Sequence, residues 1–325
     1  MKHEMPVVAE LLRSPYPTAA YKTRALLLEE AEDSSRMRGL RESIRASGMA
    51  RLLSHRNAHG VIDTNPYKKW QGPHWTLYCL AQAEWPPGDA SLLPLRDQVY
   101  DWLLEEKHLR FPRSLLIPGQ ENRFRHCATM EGNAVWYSMW LGIEDVRTRE
   151  LVERLIRWQW PDGGWNCDKR PEARTSSVIE SLAPMRTLFL WGKKHRDPSA
   201  VKAAEKTAEF FLARRLYHRK SDGGIILPAF EKTQYPIQFY DVLFILKVMA
   251  EAGTLGDERC REALDLLQSK MRPDGGFPLE RMNCVVSNAF VTRGSFADWG
   301  RAGKNTTNPF VTVEALWVLK KAGRI

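Results

Sequence analysis

The densest run of chemically capable side chains is RFRHCATMEGN, residues 123–133, where Arg123 and Arg125 stand beside His126, Cys127 and Glu131. A histidine exchanges protons near neutral pH, and a thiol flanked by cations ionises more readily than a free one. The segment can therefore serve as an acid–base or nucleophilic centre whose guanidinium groups hold an anion. The structural use of the same residues is a packed or capped helix start beside a solvated loop. A second run, YPIQFYDV at 235–242, sets Tyr240 and Asp241 at the entrance to a very apolar segment. An Asp there either transfers protons from a dry site or, more commonly, caps the helix. Asp168 carries the same two readings. Cys127, Cys167 and Cys284, with His126 or His74, could supply soft ligands for zinc, but no CxxC or HxxxH spacing accompanies them. The reading therefore includes no metal and specifies no cofactor. Cys79 and Cys260 fall on apolar stripes and read as core residues.

These groups need elements to position them, and the sequence names the elements by repetition. PDGGWNC, SDGGIILP and RPDGGFPLE place aspartates at 162, 222 and 274, so a Gly-Gly turn recurs loosely along the chain. Glycine supplies positive φ at little cost, and the aspartate can accept hydrogen bonds from the turn. Segments before the turns, such as ELVERLIRWQW and DERCREALDLLQSK, carry apolar residues at helical spacing with a charged opposite face. Segments after them are apolar nearly all round, at 73–83, 133–142, 175–185, 239–253 and 309–323. Gly142, Gly192, Gly253 and Gly323 suit the left-handed position past the ends of these enclosed helices. Half-exposed helices alternating with enclosed ones predict an all-α fold with two concentric layers, an α/α toroid of about five to six helical hairpins. Residues 61–325 carry the repeats, and residues 1–60 read as an N-terminal helical cap or atypical first repeat of the same compact domain.

LIRWQWPDGGWNC followed by RTSSVIESL resembles the outer helix, QW-type turn and inner helix of the squalene cyclase and protein prenyltransferase superfamily. KMRPDGGFPLE is similar to the DGGF turn of prenyltransferase β subunits. The resemblance spans roughly residues 70–325. It implies an α/α barrel whose inner-helix ends surround a central pocket, often for an isoprenoid. The chain departs from the family's chemical motifs: no two aspartates are consecutive, which removes both DxDD and DDxxD, and NTTNPFVTVEAL has neither Cys nor His where the zinc histidine would stand.

In such a toroid, chemistry gathers where the enclosed helices begin, because their unpaired N–H groups and positive dipole ends face the cavity. That region supplies His126, Cys127, Glu131, Asp168, Tyr240 and Asp241 as candidate catalytic groups. His74, Trp75, Tyr78, Arg123, Arg125, Trp136, Arg174, Tyr235, Gln238, Asn305 and Asn308 are candidate ligand contacts. Lys and Arg number 48 against 39 Asp and Glu, a formal charge of +9, which favours an anionic partner. The expected ligand is a small molecule that is mainly apolar with an anionic end, such as an isoprenoid diphosphate. Two other readings stay open: a lyase acting on acidic polysaccharide, with Tyr240 and His126 as base and acid, and a non-catalytic binding scaffold. No nucleic-acid motif accompanies the basic runs. Charges interrupt every apolar stretch and five cysteines are irregularly spaced, so the sequence predicts a reduced, cytoplasmic protein without a transmembrane segment, with peripheral membrane contact left open.

Overall fold

The computed structural model describes residues 6–105, 116–117, 120–125 and 127–325. The chain is mostly helical. Helix α1 is Pro6–Leu12, α2 is Pro17–Lys22 and runs into a π turn at Thr23–Leu27, and α3 is Ser35–Arg45. Then come α4 (Pro73–Gln82), α5 (Leu93–Leu103), α6 (Ala128–Trp140), α7 (Val146–Arg157), α8 (Val178–His195) and α9 (Pro198–Leu212). The last three are α10 (Val242–Ala252), α11 (Arg261–Ser269) and α12 (Pro309–Lys321). Among the described residues, strands are short and confined to the loops before the even-numbered helices. β1 (Leu116–Ile117) pairs antiparallel with β2 (Gln120–Phe124); β3 (Gln234–Tyr235) and β4 (Arg281–Met282) pair in parallel, as do β5 (Val285–Val286) and β6 (Gly294–Ser295).

The even-numbered helices are the enclosed ones. Every residue of α4 is buried, as are Phe310 to Leu319 of α12. The odd-numbered helices bury one stripe, Leu151, Val152 and Leu155 in α7 and Ala263, Leu264 and Leu267 in α11. Enclosed helices pack on one another in succession, α4 on α6, α6 on α8, α8 on α10, α10 on α12, and α12 on α2 and its π turn. The Thr18 hydroxyl of α2 donates to the Ala83 carbonyl just past α4 at 2.8 Å. Half-exposed α5, α7, α9 and α11 each lie against the enclosed helix that precedes them.

The Gly-Gly turns have two separate requirements. Their first glycines, Gly163, Gly223 and Gly275, have φ of +103°, +72° and +79°. Two of the second glycines are there for close approach: a Cβ on Gly164 would lie 2.3 Å from the Ser181 hydroxyl, and one on Gly276 would lie 2.3 Å from a Thr307 methyl. The aspartates fasten each turn. Asp222 and Asp274 accept from the amides of Gly224 and Gly276, as the turn chemistry predicts. Asp162 instead accepts from the Ser176 amide at 2.7 Å and its hydroxyl at 2.6 Å, and Asp274 also accepts from the Thr307 hydroxyl at 2.7 Å. These bonds clamp the outer turn to the residues that lead into the next enclosed helix.

Two boundaries differ from the sequence expectation. Helix α6 begins at Ala128, so Glu131 sits in its first turn. Helix α8 runs through Pro184 to His195, past the expected end at 185. Gly192 therefore lies inside α8 instead of capping it; a Cβ there would come 2.6 Å from a Val201 methyl, so the missing side chain lets α9 approach. Gly142, Gly253 and Gly323 do follow enclosed helices with positive φ.

The interior among the enclosed helices is charged where the resemblance implies a central ligand pocket. Glu314 on α12 accepts from Lys22 of α2 at 2.7 Å and from Lys247 of α10 at 2.6 Å. Lys247 lies 3.6 Å from Glu251, which holds Arg186 of α8 through two bonds of 2.6 and 2.7 Å. The loop before α10 also crosses this interior: the Ile237 carbonyl accepts from Tyr78 and Gln82 of α4.

Candidate functional site

At the amino ends of the enclosed helices lies a cluster that begins with the loop preceding α4. Lys69, half-buried, projects its ammonium 3.7 Å from the centre of the Trp75 ring, 4.4 Å from that of Phe239 and 4.9 Å from that of Trp70. It donates to the Gln238 side-chain carbonyl at 2.9 Å, and among the described residues no carboxylate pairs with it. Aromatic faces attract a cation through their quadrupole, but one neutral amide and three rings do not replace its lost hydration. Burial therefore pulls the Lys69 ammonium down to about 7, against smaller opposing effects of Cys79 and Glu180.

His74, in the first turn of α4, is fully buried, tilted against Tyr67 and edge-on to Trp75 and Tyr137. Its Nδ1 lies 3.4 Å from the Tyr137 hydroxyl, and its Nε2 has no hydrogen-bond partner among the described residues. Burial, reinforced by the Lys69 charge, drives His74 down to about 3, so its ring is neutral at physiological pH. Tyr67, partly exposed, connects this corner to a second one. Its phenol is pushed up to about 12 by burial and, secondarily, by the negative charges of Glu180, Cys127 and Cys167.

The second corner is a triad. The Sγ atoms of Cys127 and Cys167 and a carboxylate oxygen of Glu180 all lie within 4.8 Å of one another, which makes these residues a group able to hold a metal ion. Cys127 is the N-cap residue of α6, Cys167 follows the Trp-containing turn, and Glu180 lies in the first turn of α8. A parallel bridge between Arg125 and Asn166 brings the first two segments together. The Cys167 thiol donates to Glu180 Oε1 at 3.5 Å, and the Thr129 amide donates to Glu180 Oε2 at 3.3 Å. Hydrogen bonding from Cys167 holds the Cys127 thiol below its ordinary value, so Cys127 ionises first. The same contact raises Cys167, and burial adds to it.

The structure thus gathers His74, Trp75, Gln238, Cys127 and Cys167 of the sequence-predicted residues. Lys69, Tyr67, Trp70, Phe239 and Glu180 were not singled out. Lys69 stands in NPYKKWQGPHW, where a lysine embedded among Tyr and Trp just before an apolar helix was the available signal.

Other candidates are committed elsewhere. Glu131 is buried against Arg154 at 2.6 Å. The Tyr240 hydroxyl donates to the Leu216 carbonyl while its ring lies between Phe211 and Phe230. Asn308 caps α12 by accepting from the Phe310 and Val311 amides. Asp168 pairs with Arg170, whose hydrogen bonds hold its carboxyl down to about 2. Arg174 and Asn305 are exposed. Tyr78 and Tyr235 face the charged interior through Ile237 and Lys22, and the Trp136 ring lies 4.4 Å from the Arg186 guanidinium. Cys284 is buried outside the triad, its thiol pushed up to about 11 by burial. Arg123 and Arg125 are half-buried on the strand leading to Cys127, and His126 lies outside the described residues.

Asp241 is the cap of α10. Its Oδ1 accepts from the Phe244 amide at 2.7 Å and its Oδ2 from the Gln234 amide at 3.0 Å. Burial raises this carboxyl to about 8 against the pull of those bonds. Asp241→Ala strips two buried N–H groups of their acceptor and is expected to cost about 2 kcal/mol in urea unfolding, whereas Asp241→Asn keeps one acceptor and loses less. Equal unfolding midpoints for the alanine variant and the parent would contradict the capping role.

No family model and no curated protein matches the chain. Solved structures similar to it include three of the type II terpene cyclase MstE from Scytonema: a variant with geranylgeranyl dihydroxybenzoate as substrate, one with merosterolic acid A as product, and one without ligand. Each is 14% identical, and the match covers 96% of this chain and 100% of that one at a TM-score of 0.28. Among the described residues, no helix is long and apolar enough to cross a membrane.

Proposed function

We propose that this chain is an α/α-toroid enzyme resembling terpenoid cyclases and prenyltransferases, acting on a small molecule with an apolar body and an anionic end. Support for the toroid comes from the succession of enclosed helices, in which α12 packs on α2 and α2 is tied to the end of α4. Residues 1–60 then supply the first hairpin of the circle, α2 inside and α3 outside. Because the crossing loop and the ion pairs occupy the middle, the ligand site is the mouth, at the amino ends of the enclosed helices.

Lys69 carries this reading. A lysine ammonium held by three aromatic rings, with no carboxylate among the described residues to neutralise it, is a cationic anchor walled by apolar surface. An anion arriving there restores the missing counter-charge, while its apolar portion lies along Trp70, Trp75 and Phe239. The neutral His74 lies in the same aromatic corner and adds no positive charge of its own. A polysaccharide lyase is less well served, since Tyr240 is buried and bonded to a backbone carbonyl.

The sign of the pH dependence follows from the lysine. Below about 7 the ammonium is charged and binds an anion; as pH rises through that value the charge is lost and affinity falls. Calorimetric titration with farnesyl diphosphate and with farnesol checks this. The diphosphate is expected to bind more tightly, and Lys69→Met to weaken it about 10- to 100-fold, roughly 1.4–2.8 kcal/mol, while leaving the alcohol unchanged. Equal affinity for the two ligands, or a Lys69→Met protein that binds the diphosphate as the parent does, removes the anchor.

A further inference from the structure

We infer that Cys127, Cys167 and Glu180 form a zinc site, a soft divalent cation held by two thiolates and one carboxylate with a coordination position left open. Three loops or helix starts far apart in sequence deliver these ligand atoms to one spot, all within 4.8 Å of one another. The spacing suits the metal. Tetrahedral zinc sits about 2.3 Å from sulfur and about 2.0 Å from a carboxylate oxygen, which sets a sulfur and an oxygen on it about 3.5 Å apart. Cys167 Sγ and Glu180 Oε1 are separated by 3.5 Å. Thiolates select zinc over magnesium or calcium, which prefer oxygen ligands.

The supporting shell is already built. The Thr129 amide holds the other oxygen of Glu180, as a backbone donor orients a ligating carboxylate. Asn166, next to Cys167, accepts from the Asp168 amide and donates to the Thr175 carbonyl, while Asp162 grips Ser176, so the Cys167 loop is fastened at both ends. Both thiols must give up their protons to bind the cation, so affinity for zinc should rise with pH. Three protein ligands and one open position is the pattern of zinc that meets a substrate or water, in contrast to closed four-ligand structural sites. The open position would face the same mouth as Tyr67 and Lys69.

The full-length protein, expressed with added zinc and purified under reductant, tests this by metal content and by competition against a chromophoric chelator. About one zinc per chain is expected. Cys127→Ser or Cys167→Ser should weaken zinc at least about 100-fold, Glu180→Gln about 10-fold, and Cys284→Ser not at all. Loading the parent protein with cobalt(II) instead should give the intense near-ultraviolet absorption of thiolate-to-metal charge transfer, a readout that survives if a cysteine variant fails to fold. Reduced protein that binds neither metal overturns the site. So does zinc affinity unchanged in the cysteine variants, or a Cys127–Cys167 disulfide that on reduction yields thiols without zinc affinity. All of these use metal alone, so failure of Lys69 as an anion anchor and failure of the zinc site are separately visible.

Discussion

Glu314→Gln is expected to destabilise the protein by about 3–5 kcal/mol, because it removes the one charge that two buried lysines share. Glu314 is fully buried at the middle of α12, 2.7 Å from Lys22 and 2.6 Å from Lys247. Burial works against its ionisation, yet the two ammonium groups hold the carboxyl down to about 2. Burial likewise works against the Lys22 ammonium, and Glu314 overrides it and raises that group. Without the carboxylate, Lys22 keeps, among the described residues, the neutral Tyr235 hydroxyl at 3.4 Å and Glu84 at 3.7 Å, itself pushed toward neutrality by burial. Lys22→Met added to Glu314→Gln should recover part of the loss, since it takes away the stranded charge. A loss below about 1 kcal/mol in urea unfolding would mean the network is solvated or its charges are not coupled.

The pH dependence of the same group has a definite sign. Glu314 ionises near 4.5 when unfolded and near 2 when folded, so between those values the unfolded chain binds more protons. Its contribution is complete above about 4.5 and is lost progressively as pH falls toward 2. The parent should therefore lose stability across that window more steeply than Glu314→Gln.

Gly132→Val is expected to cost at least about 3 kcal/mol, since it forces α6 away from α8. A Cβ on Gly132 would lie 2.8 Å from the Pro184 nitrogen, 3.0 Å from the Ala183 carbonyl carbon and 3.1 Å from the Pro184 Cα. All three are backbone atoms, so no side chain can swing aside. The helices are also joined there by the Thr187 hydroxyl, which donates to the Gly132 carbonyl at 2.6 Å. Gly132→Ala should lose less, because its only added atom is that Cβ, yet still lower the urea midpoint despite alanine's better helix propensity. A midpoint raised by alanine would show that the two helices can separate at little cost.

Much of this architecture was legible because it rests on local chemistry. The period of the apolar residues separates enclosed from half-exposed helices, as α4 and α7 illustrate. The Gly-Gly turns require φ values that few other residues tolerate, and Asp241 and Asn308 cap helices because their side chains reach amides two or three residues on. The charged interior also left a trace that was not followed: Lys247 in VLFILKVMA and Glu314 in VTVEALWVL are lone charges inside apolar helices, which persist only with a partner.

The sequence by itself determined the all-α class, the alternation of helix types and the turns between them, because each depends on residues a few positions apart. Tertiary structure alone decided which residues meet in the candidate site. Cys127, Cys167 and Glu180 come from three segments, and Lys69 meets Gln238 and Phe239 across 169 and more residues of chain. No periodicity encodes such meetings; they follow from which helix ends the packing of the enclosed helices sets side by side.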